Sequence, residues 1–88
     1  MTVEYRKRFL RELAKLPSGQ RKEIEHFAFD VLPALRSLED NGKIERMKGY
    51  PGVYKIRFGD YRLGLRLEGN VVVMERALHR KDIYRYFP

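Results

Sequence analysis

Lys55, Arg57, Arg62 and Arg66 are spaced so that a single β-hairpin would carry all four cations on one face. They lie in the run Val53-Tyr54-Lys55-Ile56-Arg57-Phe58-Gly59-Asp60-Tyr61-Arg62-Leu63-Gly64-Leu65-Arg66-Leu67. Gly59-Asp60 suits a two-residue type II′ turn, which takes glycine at its first central position. That turn sets Phe58 against Tyr61, Arg57 against Arg62, Ile56 against Leu63 and Lys55 against Gly64. Successive strand residues point to opposite sides, so Tyr54, Ile56, Phe58, Tyr61, Leu63, Leu65 and Leu67 share the other face. Like charges directly across a sheet repel and weaken it. Keeping Arg57 against Arg62 makes sense if an anion occupies the space above them.

Size and charge agree with that chemistry. Eighty-eight residues form one domain, spanning 1–88, with a single core. Nineteen Lys and Arg against twelve Asp and Glu give a net charge of +7, which favours a polyanionic partner such as nucleic acid, an acidic protein or an anionic membrane. There is no cysteine, which excludes disulfides and thiolate metal sites. His26 and His79 are too few and too far apart for a zinc site, so neither metal nor cofactor is expected. No apolar run approaches the roughly 18 residues of a membrane span. The start of the chain lacks the apolar region of a signal peptide, and a cytoplasmic location is expected.

The elements that must position these cations can be read from periodicity. Val3 and Tyr5 alternate with polar residues, as in a short strand over 2–6. Phe9, Leu10, Leu13 and Leu16 recur at helical spacing, and Pro17 stops that helix. Ser18 is placed to cap a second helix. Ile24, Phe27, Ala28, Val31, Leu32 and Leu35 give that helix one wide apolar stripe, and Pro33 within it predicts a kink or an end. A three-residue turn between the two helices makes them an antiparallel hairpin. From Ile44 the period changes to two. Strands 53–58 and 61–67 follow, then the Gly69-Asn70 turn and a last strand from Val71 to about Ala77. Residues 81–87 suit a short terminal helix or an irregular tail.

The expected fold is therefore α+β. An antiparallel sheet of about four strands, in the order β-α-α-β-β-β, carries the helical hairpin on its Tyr54/Ile56/Phe58 face and ends in a short helix. The position of the first strand is open. The cationic face is left uncovered, with Gly64 leaving room opposite Lys55 for a ligand. If Gly69-Asn70 sets the register, Arg76 falls on the apolar face beside Leu63. Either it reaches the rim of the core or a bulge turns it over.

The run Lys48-Gly49-Tyr50-Pro51-Gly52-Val53 and its continuation through Leu63 resemble the central motif of the RelE/ParE superfamily of bacterial toxins. His79-Arg80-Lys81-Asp82-Ile83-Tyr84 resembles the closing motif of its RelE branch, so the resemblance spans essentially the whole chain. It implies the toxin of a type II toxin–antitoxin system: a ribosome-dependent endoribonuclease that cuts mRNA in the A site. Without metal, the ribose 2′-OH attacks the adjacent phosphate and leaves a 2′,3′-cyclic phosphate. The partners implied are a cognate antitoxin, the ribosome with its rRNA, and mRNA. The toxin would be a monomer alone and a hetero-oligomer with its antitoxin. By position, the resemblance makes Lys55, Arg57, Arg62 and Arg80 the catalytic cations. Arg57 is a departure, since the family has lysine there. The catalytic tyrosine is Tyr84 or Tyr86, with the spacing from Arg80 favouring Tyr86.

Each role has a chemical rationale and a plainer alternative. Metal-free cleavage needs a base for the 2′-OH, charge stabilisation on the phosphorane and an acid for the leaving oxygen. Arg62 and Arg80 suit the second task, because a guanidinium grips phosphate oxygens in pairs. The alternative is a solvated basic face or an ion pair. Lys55, among like charges, can act as the base or simply bind phosphate. Arg57 does not deprotonate and is limited to electrostatics. Arg66, His79, Lys81 and Tyr84 are expected RNA contacts. Tyr84 or Tyr86 would stack on a base, or one of them packs in the core. His79 is a possible general acid, more commonly a structural residue, and His26 a surface one. Arg6, Lys7, Arg8, Arg11, Lys15, Arg21 and Lys22 would grip rRNA phosphates or form a solvated face. Two other readings share the fold: a ParE-like gyrase inhibitor that cuts nothing, and a non-catalytic basic nucleic-acid-binding module.

Overall fold

The structure is a computed structural model describing all 88 residues. Strand β1 (Thr2–Tyr5) leads into helices α1 (Lys7–Ala14) and α2 (Ser18–His26). The helical path continues through a π-helical turn, Phe27–Val31, and one more turn, α3 (Leu32–Ala34). Strands β2 (Ile44–Arg46), β3 (Val53–Phe58), β4 (Tyr61–Glu68) and β5 (Val71–His79) follow, and α4 (Arg80–Tyr86) closes the chain. The sheet has five strands in the order β1-β5-β4-β3-β2. The expected order holds, with β2 as an added edge strand. β1 takes the other edge and pairs parallel with β5, Val3 against Val72, so the sheet is mixed.

Pro33 has the consequence its ring demands, by an indirect route. The π turn shifts bonding by one residue, and Leu32 N–H reaches back to Phe27 O. In that register the next carbonyl, of buried Ala28, would need an N–H from Pro33, which has none. The Tyr5 hydroxyl donates to it instead, at 2.6 Å. Leu35 is already extended, so the helix ends where proline predicts. Ser18 differs from expectation: it is the first helical residue after Pro17, and no side chain caps α2.

The helical layer buries Phe9, Leu13, Ile24, Phe27, Ala28 and Leu32 against Tyr54, Ile56, Phe58, Leu63, Leu65, Val72 and Met74. The opposite face is not left open, contrary to the sequence reading. α4 lies across it, and Ile83 and Phe87 pack on Val53 with Met47 and Leu78 alongside. Arg76 takes the bulge solution. Leu65 pairs with Met74 but Gly64 with Arg76, so Glu75 is the extra residue and Arg76 leaves the apolar face.

Candidate functional site

The hairpin has the register its turn dictates: Phe58 opposite Tyr61, Arg57 opposite Arg62, Ile56 opposite Leu63 and Lys55 opposite Gly64. Gly59 has φ +57°, and no other residue type in the chain has positive φ, so the turn needs glycine only at its first central position. Arg62 Nη1 donates to the carbonyls of Gly59, at 2.6 Å, and Tyr61, at 2.9 Å. Two backbone acceptors thus hold the guanidinium over the turn without neutralising it. Arg57 is exposed beside it.

Helix α4 is tied to the same end of the hairpin. Arg80 N–H donates to Asp60 O at 2.7 Å. The Arg80 guanidinium, Nε, lies 3.5 Å from Asp60 Oδ1, an exposed pair of little strength. His79 is the N-cap: its Nδ1 accepts the Lys81 N–H at 3.1 Å, and its ring meets Tyr61 edge-on. The cap needs an unprotonated Nδ1, which leaves the neutral ring's proton on Nε2. The structural role weighed for His79 is therefore present. Arg80 and exposed Lys81 open α4 at the Arg57/Arg62 end of the sheet.

Further along α4, Ile83 and Phe87 face the sheet one turn apart. Gly64 serves this packing rather than a ligand, correcting the expectation of open space opposite Lys55. A Cβ on Gly64 would lie 2.6 Å from the Phe87 ring. One flank of the helix turns to β3, where Lys55 Nζ donates to the Tyr84 hydroxyl at 3.1 Å. The other flank turns to β5, where the Arg76 guanidinium carbon lies 5.3 Å from the centre of the Tyr86 ring. The two tyrosines therefore stand on opposite sides of α4, and the structure brings Tyr84, not Tyr86, to Lys55.

The cations divide clearly by partner. Lys55, Arg57, Arg62 and Lys81 have no carboxylate oxygen within 4.0 Å, and Arg80 has only exposed Asp60. Arg66 lies outside this group, one row further on between Val53 and Val73. Its Nε is 3.9 Å from Glu75, and its guanidinium carbon is 5.5 Å from the Phe87 ring centre. Arg76 alone is buried against an acid, Glu12 of α1. Positive charge thus collects unneutralised at one end of the sheet, beside a lysine–phenol contact. No group of three or more His, Cys, Asp or Glu that could hold a metal is present. Such a surface can bind a phosphodiester with guanidinium groups on its non-bridging oxygens.

The sequence reading missed the Glu12–Arg76 pair. The signal lay in Arg76, whose register set it on an apolar face; nothing marked Glu12 as its partner, since the two are 64 residues apart.

Comparison with known proteins identifies the fold. Residues 3–84 match the family model described as ParE toxin of the type II toxin–antitoxin system parDE. Over 89 aligned residues, covering both chains fully, the sequence is 38% identical to Toxin RelE3 of Methanocaldococcus jannaschii. The RelB–RelE antitoxin–toxin complex of Methanococcus jannaschii superposes with a TM-score of 0.79 at 35% identity, covering 97% of this chain and 99% of that one. The RelBE2 complex of Mycobacterium tuberculosis gives 0.66 at 30% identity, covering 90% and 96%. The chain therefore belongs to the RelE/ParE superfamily of type II toxin–antitoxin toxins.

Proposed function

We propose that this toxin is a ribosome-dependent endoribonuclease that cleaves mRNA in the A site through attack of a ribose 2′-OH on the adjacent phosphate. The observation that carries the reading is the Lys55–Tyr84 contact beside un-neutralised Arg57 and Arg62. Arg62, Arg57 and Arg80 hold the phosphate and stabilise the charge that builds on the phosphorane. Lys55 Nζ takes the 2′-OH proton while the Tyr84 phenol orients it; as the 2′-oxygen bonds to phosphorus, the bond to the 5′-oxygen breaks and that oxygen leaves with a proton from water. Tyr84 is preferred to Tyr86 because of where it stands. Arg66, His79 and Lys81 flank the RNA path, His79 mainly by capping α4. Positive charge that a metal would otherwise supply comes from the guanidinium groups, so the reaction proceeds in chelator.

The partners are rRNA and mRNA on the ribosome, together with a cognate antitoxin, as in the RelB–RelE and RelBE2 complexes. No helix is long and apolar enough to cross a membrane, which suits work in the cytoplasm beside ribosomes. A second reading, inhibition of DNA gyrase, draws on the ParE name of the family model. Fold does not separate the two, because function resides in the site.

Purified toxin added to mRNA-programmed ribosomes, with mRNA 5′ ends mapped by primer extension, tests the proposal. Breaks confined to the A-site codon, absent on free mRNA, support it. Intact mRNA together with blocked gyrase supercoiling contradicts it.

A further inference from the structure

The Glu12–Arg76 pair is the most elaborate polar arrangement in the molecule. Arg76 Nε lies 3.1 and 3.0 Å from the two Glu12 oxygens, and Nη2 lies 2.6 Å from Oε2. Glu12 Oε1 also accepts the Ala77 N–H at 3.0 Å, past the end of β1, where β5 has no further strand beside it. Arg76 then reaches α4: Nη1 donates to the Tyr86 carbonyl at 3.4 Å while the guanidinium lies against the Tyr86 ring. Both charged side chains are almost wholly enclosed.

Helix α4 is seven residues long; its apolar contacts with the sheet come from Ile83 and from Phe87 just after its last turn, while Arg80 N–H pins its start to Asp60 O. Two apolar contacts along one line leave such a helix free to roll about its axis. Its two flanks prevent this. Arg76 holds the Tyr86 flank from β5, and Lys55 meets the Tyr84 flank from β3. We propose that the Glu12–Arg76 pair is a positioning device that sets the roll of α4 and so the place of the Tyr84 hydroxyl over Lys55. Arg76 touches no reacting atom. It acts through Tyr84, and its catalytic consequence rests on the nuclease reading given above.

The test is a double-mutant cycle with the full chain on programmed ribosomes. Arg76→Met keeps bulk and removes the charge; Glu12→Gln keeps an acceptor for Ala77 N–H and serves if Arg76→Met fails to fold. In the otherwise native chain, kcat falls on the order of 10²-fold, as for other small displacements of a reacting group, while KM for ribosomes is unchanged. In a Tyr84→Ala background the same substitution costs almost nothing. An equal loss in both backgrounds, no loss in either, or a change confined to KM overturns the proposal. A readout independent of cleavage is the NMR signal of ring-labelled Tyr84 in the isolated toxin. It moves in Arg76→Met if the pair sets its position, and an unmoved signal overturns the proposal even if the native chain cuts no RNA.

Discussion

Lys55 of β3 and Tyr84 of α4, 29 residues apart, meet with 3.1 Å between Nζ and the hydroxyl oxygen. The contact requires α4 to lie flat on the sheet, and this depends on an absent side chain at Gly64 and the Phe87 ring that fills the space. Lys55→Ala is expected to lower single-turnover cleavage on the order of 10²–10⁴-fold, the range for loss of a positioned acid or base. Tyr84→Phe keeps the ring and loses the hydroxyl, so its smaller loss should fall on kcat. Rapid-quench kinetics on programmed ribosomes measures both.

Arg57 stands directly opposite Arg62, and like charges so placed carry a cost to folding. Arg57→Thr relieves the repulsion and adds a β-branched residue, so it should stabilise the toxin by about 0.2–1 kcal/mol in urea titrations. Cleavage should fall on the order of 10²-fold in the same variant, as when one transition-state donor is removed. Gain of stability with loss of activity separates an arginine kept for its ligand from one kept for the fold.

Gly64→Ala tests the seat of α4. The added methyl would lie 2.6–2.8 Å from three carbons of the Phe87 ring, so the ring and the end of the helix must shift. Overpacking of this kind costs about 1–3 kcal/mol. Urea denaturation should register that loss, and cleavage should fall further than the unfolded fraction explains.

Tyr5 provides a pH prediction away from the site. Burial, then the nearby Asp30 carboxylate, raise its phenol above the ordinary value. The folded state thus favours the neutral hydroxyl that donates to Ala28 O. Its contribution is present below the unfolded phenol's pKa, about 10, and is lost as pH rises through the higher folded value. Native toxin should lose thermal stability on that alkaline limb more steeply than Tyr5→Phe. At neutral pH, Tyr5→Phe leaves a buried carbonyl without a donor and should cost about 1–3 kcal/mol.

Much of this was legible in the sequence for local reasons. A two-residue turn and strict alternation determine the register of β3 and β4 with no other information, and that register places Lys55, Arg57 and Arg62. Pro33 and the helical stripe locate the end of the helical layer. The rest depended on contacts between distant segments. Periodicity does not say where a four-residue strand docks, so the parallel pairing of β1 was open. The dual use of the cationic face was hidden because Gly64 looks the same whether it admits a ligand or an aromatic ring. Only the path of α4 separates Tyr84 from Tyr86, since their spacing from Arg80 does not show which flank meets β3.

The chemistry of the new RNA ends tests the central claim most directly. Programmed ribosomes are incubated with toxin in excess chelator, and the 3′ ends of the upstream fragments are read by mass spectrometry. Attack by the neighbouring 2′-OH predicts 2′,3′-cyclic phosphate ends at A-site codons, lost with Arg62→Ala and with Arg80→Ala. Upstream fragments ending in a free 3′-hydroxyl, or cyclic ends formed undiminished by both variants, would contradict the account.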